Sequence, residues 1–258
     1  MQQIEIFHKK TEADDMGESF QWRILLPGIP ASSSRGFLGW CSVALLKFKS
    51  SKGSQYALFD TGHVGDRGQL LVALDKMGIE MNKISILILS HLHYDHVLNS
   101  ELFKSARIYV SAKELDYFRT GANGDVYYPN SYLEHFLLAR KNDIISFEDE
   151  DELLSGRFLL LPGHTAGSSG FLCGDVLFAG DSIKYASEAV KKKVTYAYYS
   201  QEKAESSLRR ITQVAKIVVP GHDAPFAIKD DEVSYTERNT AYLEVQELRG
   251  NDVKIKRI

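Results

Sequence analysis

Short apolar runs, each bounded by turn residues, recur along the chain and predict β-strands. Several of these runs are continuously apolar, a pattern typical of strands that are buried on both faces of a sheet. Gly174 and Asp175 separate two of the runs at the spacing of a hairpin turn. The predicted strands are CSVALLKF, YALFD, ISILILS, RIYV, RFLLLP, SGFLC, DVLFAGD and KIVVPGH.

Helical patterns lie between the predicted strands. The segment RGQLLVALDKMG ends at Gly78, a residue suited to a helix C-cap. Two further segments begin at Ser111 and Ser200, whose hydroxyls can accept hydrogen bonds from the first free backbone amides of a helix. Strands with interspersed helices indicate an α/β layered fold. The segments that we predict to be loops are 27–36, 120–140 and 185–200.

Composition narrows the class of protein. The chain has 258 residues, of which 44% are hydrophobic and 25% charged, and its formal net charge is −3. These values are ordinary for a soluble globular protein and predict no broad basic surface. We therefore expect one domain over residues 1–258 and a small-molecule substrate rather than a nucleic-acid or membrane partner; a homodimer is left open.

The lack of a recognisable secretion signal and the small number of cysteines favour a cytoplasmic location. The sequence MQQIEIFHKK has no apolar core of the kind that a secretion signal needs, and no segment approaches the length of a membrane span. Cys41 and Cys173 are the only cysteines, and neither belongs to a CxxC pair. We expect both to be reduced, buried thiols.

The apolar run ISILILS ends abruptly in the sequence HLHYDH. Imidazoles crowded this closely would not help a core to pack, but they would suit a metal. His91 and His93 are two residues apart, so in an extended chain both side chains point the same way and can approach one ion. Asp95 and His96 follow where the chain must turn, and they face a neighbouring position. This HxHxDH loop is therefore a compact way to hold two metal ions.

Further candidate ligands follow other predicted strands. His164 comes after LLLPG, Asp181 after LFAG and His222 after IVVPG. A ligand just beyond the carboxyl end of a buried strand is aimed by a rigid sheet, while the loop leaves room for a substrate.

The motifs HxHxDH, GHT, GD and PGH occur in this order and are preceded by LFDTG at 58–62. This series, which runs from Leu58 to about Phe226, resembles the metallo-β-lactamase superfamily. The resemblance implies a four-layer αβ/βα sandwich with metals at one edge of two facing sheets. It also implies that Asp60 orients a ligand through hydrogen bonding. The implied ligands are His91, His93 and His164 for one ion, Asp95, His96 and His222 for the other, and Asp181 bridging both.

Nitrogen and carboxylate ligands without a thiolate suit zinc, and they also suit iron or manganese. We take two Zn²⁺ as the expected cofactors, with Mn²⁺ or Fe²⁺/Fe³⁺ as alternatives. Two ions about 3.5–4 Å apart would share a water and lower its pKa toward roughly 7, which gives a hydroxide near neutral pH. The metals would polarise the oxygen of the attacked group, and Asp95 could take the proton released as the intermediate collapses.

The residues after Asp181 are candidates for contact with the substrate. Lactonases of this superfamily have a tyrosine three residues after the bridging aspartate, close to the substrate. Here that position is Lys184, and Tyr185 follows it. We predict a role for this pair in holding the substrate or the leaving group, and we name Tyr185 as a catalytic candidate beside Asp95 and Asp181. The aromatic run at 196–200 predicts either a substrate wall or packing before a helix.

The predicted function is metal-dependent hydrolysis of a small ester, lactone or thioester by a hydroxide that bridges two metal ions. His93 stands where flavodiiron-type oxidases have a glutamate, and the tail after His222 is short for the helical domain of glyoxalase-II-type thioesterases. The alternatives are a phosphodiesterase or nuclease of the same superfamily, a mononuclear iron persulfide dioxygenase, and a non-catalytic metal-bound binding protein.

Overall fold

The computed structural model describes residues 19–33, 36–51, 53–230 and 232–237. Within this part of the chain, no helix is long and apolar enough to cross a lipid bilayer. The α-helices are α1 (Arg67–Lys76), α2 (Tyr94–Val97), α3 (Ala112–Arg119), α4 (Asn130–Ala139), α5 (Ala186–Lys191) and α6 (Gln201–Val214). The strands are β1 (Ser19–Leu26), β2 (Ser32–Ser33), β3 (Gly36–Phe37), β4 (Val43–Ser50), β5 (Gly53–Phe59), β6 (Ile84–Ile88), β7 (Arg107–Ser111), β8 (Ile144–Phe147), β9 (Glu152–Leu153), β10 (Gly156–Leu160), β11 (Ser169–Cys173), β12 (Val176–Gly180), β13 (Ile217–Pro220), β14 (Phe226–Lys229) and β15 (Glu232–Tyr235).

The described strands form two large sheets and one small hairpin. The six-stranded sheet has the order β1-β4-β5-β6-β7-β8, and the seven-stranded sheet has the order β15-β14-β13-β12-β11-β10-β9. Strands β5 to β8 run parallel to one another, and β12 runs parallel to β13. Strands β2 and β3 pair only with each other.

Alternating side chains on the buried strands build the layers. In β4, Val43 and Leu45 pack into an apolar cluster that includes residues of α1, α3 and α4. Leu46 and Phe48 point the opposite way, into an aromatic-rich cluster between the two sheets. A further cluster joins Leu177 of β12 to α5 and α6. Helix, sheet, sheet and helix therefore lie in sequence, and the predicted four-layer αβ/βα sandwich is confirmed.

The strongest local patterns gave correct elements. All eight predicted strands are present, and Gly174 lies at the turn of the β11–β12 hairpin with a positive φ of 56°. The hydroxyl of Ser111 accepts from the backbone of Glu114 at 3.1 Å, and that of Ser200 accepts from the backbone of Lys203 at 3.3 Å. Cys41 and Cys173 are both buried, and no disulfide joins them.

The prediction of three loops was wrong in part. Segment 120–140 contains α4, segment 185–200 contains α5, and β2 and β3 interrupt segment 27–36. Leu133 and Phe136 of α4 are spaced three residues apart and pack on the cluster beneath the six-stranded sheet. The single domain predicted over residues 1–258 extends beyond the described residues and stays a prediction.

Candidate metal centre

The predicted site residues lie at one edge of the sandwich, because parallel neighbours end at the same edge of a sheet. Asp60 follows β5, and His91 lies just beyond the parallel β6. Asp181 follows β12, and His222 lies just beyond the parallel β13. At this edge the two sheets are joined directly, since the backbone amide and the hydroxyl of Ser169 donate to the Ser90 carbonyl at 3.0 and 3.1 Å.

Three histidines form one buried cluster. Each of His91, His93 and His164 offers a ring nitrogen, and these nitrogens lie within 4.8 Å of one another. His164 Nε2 is 3.1 Å from His93 Nδ1. Two of the histidines come from the loop after β6 and the third from the loop after β10. The two facing sheets therefore contribute jointly to a set of nitrogens that could hold one ion.

A second cluster lies beside the first and contains Asp95, His96 and His222. His222 Nε2 is 3.4 Å from Asp95 Oδ2, and His96 Nε2 is 3.7 Å from the same oxygen. This set combines nitrogen and carboxylate oxygen, a combination that suits zinc, iron or manganese.

Asp181 faces both clusters. Its Oδ2 lies 3.2 Å from His164 Nε2, whereas its Oδ1 lies 3.2 Å from His222 Nε2 and 3.4 Å from His96 Nε2. A Cβ atom added to Gly221 would lie 2.0 Å from Asp181 Oδ1, so only glycine allows this approach. The glycine of the PGH motif thus makes room for a carboxylate with one oxygen toward each cluster.

The second ring nitrogen of each clustered histidine already has a partner, which fixes the tautomer. The partners are Ser90 Oγ for His91 Nδ1 (3.0 Å), Asp125 Oδ2 for His93 Nε2 (3.0 Å), Asp60 Oδ2 for His96 Nδ1 (2.8 Å), the Tyr196 carbonyl for His164 Nδ1 (2.9 Å) and the Trp40 carbonyl for His222 Nδ1 (3.0 Å). The remaining nitrogens point to the centre.

Several of these inward-facing atoms are buried without a hydrogen-bond partner. They are Nε2 of His91, His96 and His222, together with Asp181 Oδ1. A buried polar atom without a partner lowers the stability of the folded protein by about 1–3 kcal/mol, so a group of such atoms at one point indicates a binding site for a species that accepts their lone pairs. A metal cation is such a species, and the residues present fit it.

Burial and neighbouring charges set the protonation of the centre. Burial and the nearby histidines lower the pKa of His91 well below its ordinary value, and burial lowers the pKa of His164 to about 3. Both rings are therefore neutral near pH 7, as a histidine that binds a metal must be. Burial opposes charge on Asp181, but Lys184 and the histidines hold the pKa of its carboxyl well below the usual range. Burial also opposes a charge on His96, but the Cys41 thiol and the carboxyl groups of Asp95, Asp181 and Asp60 raise its pKa well above the ordinary value.

A cleft with a cavity volume of about 170 Å³ opens onto the centre. Lys184 lies at its base, with Nζ 2.7 Å from Asp181 Oδ2 and over the ring faces of Phe37 and Tyr196 at 4.7 and 5.3 Å. The side chain of Lys184 is 6% exposed, so it is a buried cation against the candidate bridging carboxylate. The aromatic residues that line the cleft are Phe37, Tyr94, Tyr127, Tyr196 and Tyr198.

The catalytic candidates are placed differently with respect to this cleft. Asp95 and Asp181 line it, and so does Lys184. Tyr185 is the N-cap residue of α5 and is not among the described residues that line the cleft. Of the neighbouring pair considered from the sequence, the structure thus brings Lys184, and not Tyr185, to the centre. Tyr196 and Tyr198 form part of the wall, which is one of the two roles predicted for their segment.

Sequence reasoning missed Glu114, a buried carboxylate behind the centre. It accepts hydrogen bonds from the backbone of Leu92 at 2.9 Å, the Tyr128 hydroxyl at 2.6 Å, the Thr165 hydroxyl at 2.6 Å and the backbone of Gly167 at 3.2 Å. It thus ties the HxHxDH loop to the GHT loop. The sequence gives no signal for this role, because a glutamate in the first turn of a helix is common.

Comparison with known proteins agrees with this geometry. The model of the metallo-beta-lactamase superfamily matches residues 41–222. A "probable metallo-hydrolase" of Methanocaldococcus jannaschii is 26% identical over 64% of this chain and 70% of its own length. An N-acyl homoserine lactonase of a Bacillus species is 28% identical over 61% of this chain, which spans only 63% of that protein.

A solved structure shows the same fold. It is that of AidC, a dizinc quorum-quenching lactonase in complex with a product, and it covers 93% of this chain and 100% of its own, with a TM-score of 0.63 and 17% identity. The segment matched by the superfamily model contains all seven clustered side chains. The chain therefore belongs to the metallo-beta-lactamase superfamily of hydrolases.

Proposed function

We propose that this protein is a dinuclear metal-dependent hydrolase that cleaves a small ester, lactone or thioester. The observation that carries the proposal is the position of Asp181, whose Oδ2 faces His164 of one cluster and whose Oδ1 faces His222 of the adjoining cluster. Zinc is the metal that we expect, with manganese and iron as alternatives.

In this proposal the protein side chains divide into two ligand sets. His91, His93 and His164 would hold one ion, and Asp95, His96 and His222 would hold the other, while Asp181 would contact both. When bound, the two ions supply Lewis-acid chemistry and an activated water. All seven residues are at most 4% exposed, so the reacting centre is shielded from most of the solvent and reached through the cleft.

Asp95 is the residue that we propose to accept a proton. Burial opposes its charge, but His96 and His222 hold the pKa of its carboxyl below the usual range. It is therefore ionised at neutral pH, and because it lines the cleft, its carboxylate can take up a proton there.

Lys184 is the residue that we propose to hold the substrate, in place of the predicted Tyr185. Burial opposes its charge, but Asp181 and Asp95 raise the pKa of its ammonium group. Because it stays protonated, it acts as a hydrogen-bond donor to an oxygen of the substrate or the leaving group and not as a base.

The walls of the cleft favour a small substrate with an apolar part. A cavity volume of about 170 Å³ leaves room for only a small substrate, or for the reacting part of one. The rings of Tyr127 and Tyr198 lie 5.1 Å apart between centroids and give an acyl chain an apolar surface. Several relatives are named as lactonases, so lactones belong among the substrates to be tested.

The absence of a nucleic-acid partner, the homodimer and the cytoplasmic location stay predictions.

The test starts from purified protein that has been stripped with a chelator and reloaded with zinc, manganese or iron. We expect two ions per chain by elemental analysis and turnover of at least one member of an ester, lactone and thioester panel. Asp181→Ala is expected to abolish turnover. Asp175→Ala is the matched control, because Asp175 lies at the exposed β11–β12 turn, where it pairs with Lys216.

Other outcomes distinguish the alternatives. One iron per chain, with oxygen consumption on a persulfide, would support the dioxygenase. Cleavage of bis-p-nitrophenyl phosphate without cleavage of the panel would support a phosphodiesterase. Metal binding without turnover of any of these substrates would support a non-catalytic protein and contradict the proposal.

A further inference from the structure

Asp125 lies behind His93, on the side of the ring that faces away from the histidine cluster. Its Oδ2 is 3.0 Å from His93 Nε2, and the two side chains are 4% and 3% exposed. The other ring nitrogen, Nδ1, faces His164 Nε2 at 3.1 Å. With Nε2–H donating to Asp125, the lone pair of Nδ1 is directed into the cluster.

The carboxylate of Asp125 is itself held in place. Its Oδ1 accepts from the backbone amide of Tyr127 at 3.0 Å. The carbonyl of Tyr127 in turn accepts from the amide of Tyr94, the residue after His93, at 3.0 Å. The segment that carries Asp125 is therefore fastened to the HxHxDH loop by its backbone as well as by the imidazole.

His93 and His96 differ from the other clustered histidines in the charge of their outer partner. His91, His164 and His222 have a neutral oxygen as the partner of the outer nitrogen. His93 and His96 instead donate to the carboxylates of Asp125 and Asp60. Each of the two clusters thus has one histidine with a carboxylate behind it. Such a carboxylate fixes the tautomer of a ligating imidazole and raises its basicity.

We propose that Asp125 is a positioning residue that raises the metal affinity of the cluster formed by His91, His93 and His164. It is the counterpart, for this cluster, of Asp60 behind His96. The inference rests on the proposed dinuclear centre. Loss of such a partner typically weakens metal binding 10- to 100-fold, so a protein without the Asp125 charge is expected to hold one ion tightly and the other weakly.

The experiment measures metal binding directly, without a substrate. The chelator-stripped full chain and its Asp125→Asn variant are titrated with Zn²⁺ against a chromophoric competitor, and with Co²⁺ followed by its visible absorption. We expect two tight ions in the unchanged protein. In the variant we expect one affinity to be unchanged and the other to be 10- to 100-fold weaker, with an altered Co²⁺ spectrum. Asp125→Glu keeps the charge and is expected to recover part of the lost affinity.

Asp116→Asn is the matched control. Asp116 is 70% exposed on α3, where it pairs with Arg119, so this change should leave both affinities as they are. The inference is overturned if Asp125→Asn binds both ions as the unchanged protein does, or if it weakens both equally with a loss of thermal stability that Asp125→Glu does not restore. Failure of the unchanged protein to bind any ion would instead refute the proposed function, on which the inference rests.

Discussion

Asp60 shows how much a single buried carboxylate can determine at the residue scale. It accepts hydrogen bonds at 2.8 Å from the backbone amide of Ser90, the Ser90 hydroxyl and His96 Nδ1. The backbone of Asp60 has a positive φ of 56°, a conformation that asparagine also tolerates. Asp60→Asn therefore tests the carboxylate and not the backbone.

We expect Asp60→Asn to weaken metal binding at the cluster of Asp95, His96 and His222 by 10- to 100-fold, because its amide group would face one of the donors. The unmatched donor should also lower the free energy of unfolding by about 1–3 kcal/mol. Metal titration and urea unfolding check the two effects. Asp75→Asn, on the exposed face of α1, is the control, and equal behaviour of the two variants would contradict the role of Asp60.

Protonation should also differ between the two clusters. The pKa of His96 is raised well above 6.5, whereas that of His164 is lowered to about 3. In chelator-stripped protein at slightly alkaline pH, we therefore expect His96 to be protonated and His164 to be neutral. Since a ligating imidazole must be neutral, metal binding at His96 displaces a proton, and the metal affinity should fall as the pH falls below the raised pKa of His96.

The measurement for this prediction is ¹⁵N–¹H correlation of the imidazoles over a pH series. The reference is the ordinary pKa of histidine, about 6.5. A His96 ring that has already lost its proton just above pH 6.5 would contradict the prediction.

The site could be found from the sequence only in part. The candidate ligands were predictable, because each follows a continuous apolar strand in a short local motif, as His164 and His222 do. The partners of the outer nitrogens were not, because they come from segments remote in sequence, such as Asp125 and the carbonyl of Trp40. Which loop reaches which imidazole depends on tertiary packing, and no local pattern records it.

At the scale of elements, the contact of α3 with the GHT loop can be tested through a glycine. A Cβ added to Gly167 would lie 2.0 Å from the backbone nitrogen of Glu114, so α3 and the loop must move apart to admit it. We expect Gly167→Ala to lower the free energy of unfolding by about 1–3 kcal/mol or more. Because the loop carries His164, metal affinity should fall as well.

The control for this prediction is Gly68→Ala. Gly68 lies in α1, and a Cβ there would meet nothing within 4 Å. This substitution should stabilise the protein by up to about 1 kcal/mol, because alanine loses less conformational entropy in a helix. Chemical denaturation compares the two variants. If Gly167→Ala unfolded at the same denaturant concentration as the unchanged protein, the close packing of α3 on the loop would be refuted.

The same scale explains which elements the sequence predicted. Helices α3 and α6 have serine caps and were predicted with the correct start. Helix α4 follows Pro129 and has no side-chain hydrogen bond at its start, while α5 has only six residues. A helix that is stabilised by packing on a sheet cannot be told from a loop in the sequence when it lacks a capping residue or is too short to show a repeat of apolar residues.

At the scale of the whole molecule, the centre joins two sheets that already share an aromatic layer. Trp22 of β1 meets Phe178 of β12 at 5.6 Å between centroids, and Phe48 of β4 meets Phe171 of β11 at 6.3 Å. The candidate ligands also come from both sheets, with His91 on one side and Asp181 on the other. Bound metal would therefore add a link between the sheets at the edge where their loops meet.

Metal removal should accordingly lower the stability of the whole protein. A ligand present at 100 times its dissociation constant stabilises the folded state by about 2.7 kcal/mol, provided that the unfolded chain does not bind it. We expect metal-loaded protein to unfold several degrees above chelator-treated protein in a thermal scan, at a shift of roughly 2–4 °C per kcal/mol for a chain of this size.

Two variants decide whether this gain comes from the centre. Asp181→Ala removes the carboxylate that faces both clusters, so most of the metal-dependent gain in its unfolding temperature should disappear. His135→Gln removes an exposed imidazole of α4 and should keep the whole gain. Surface histidines that bind zinc weakly would give the opposite order. A gain that survives in Asp181→Ala and falls in His135→Gln would therefore place the metal away from the edge where the two sheets meet.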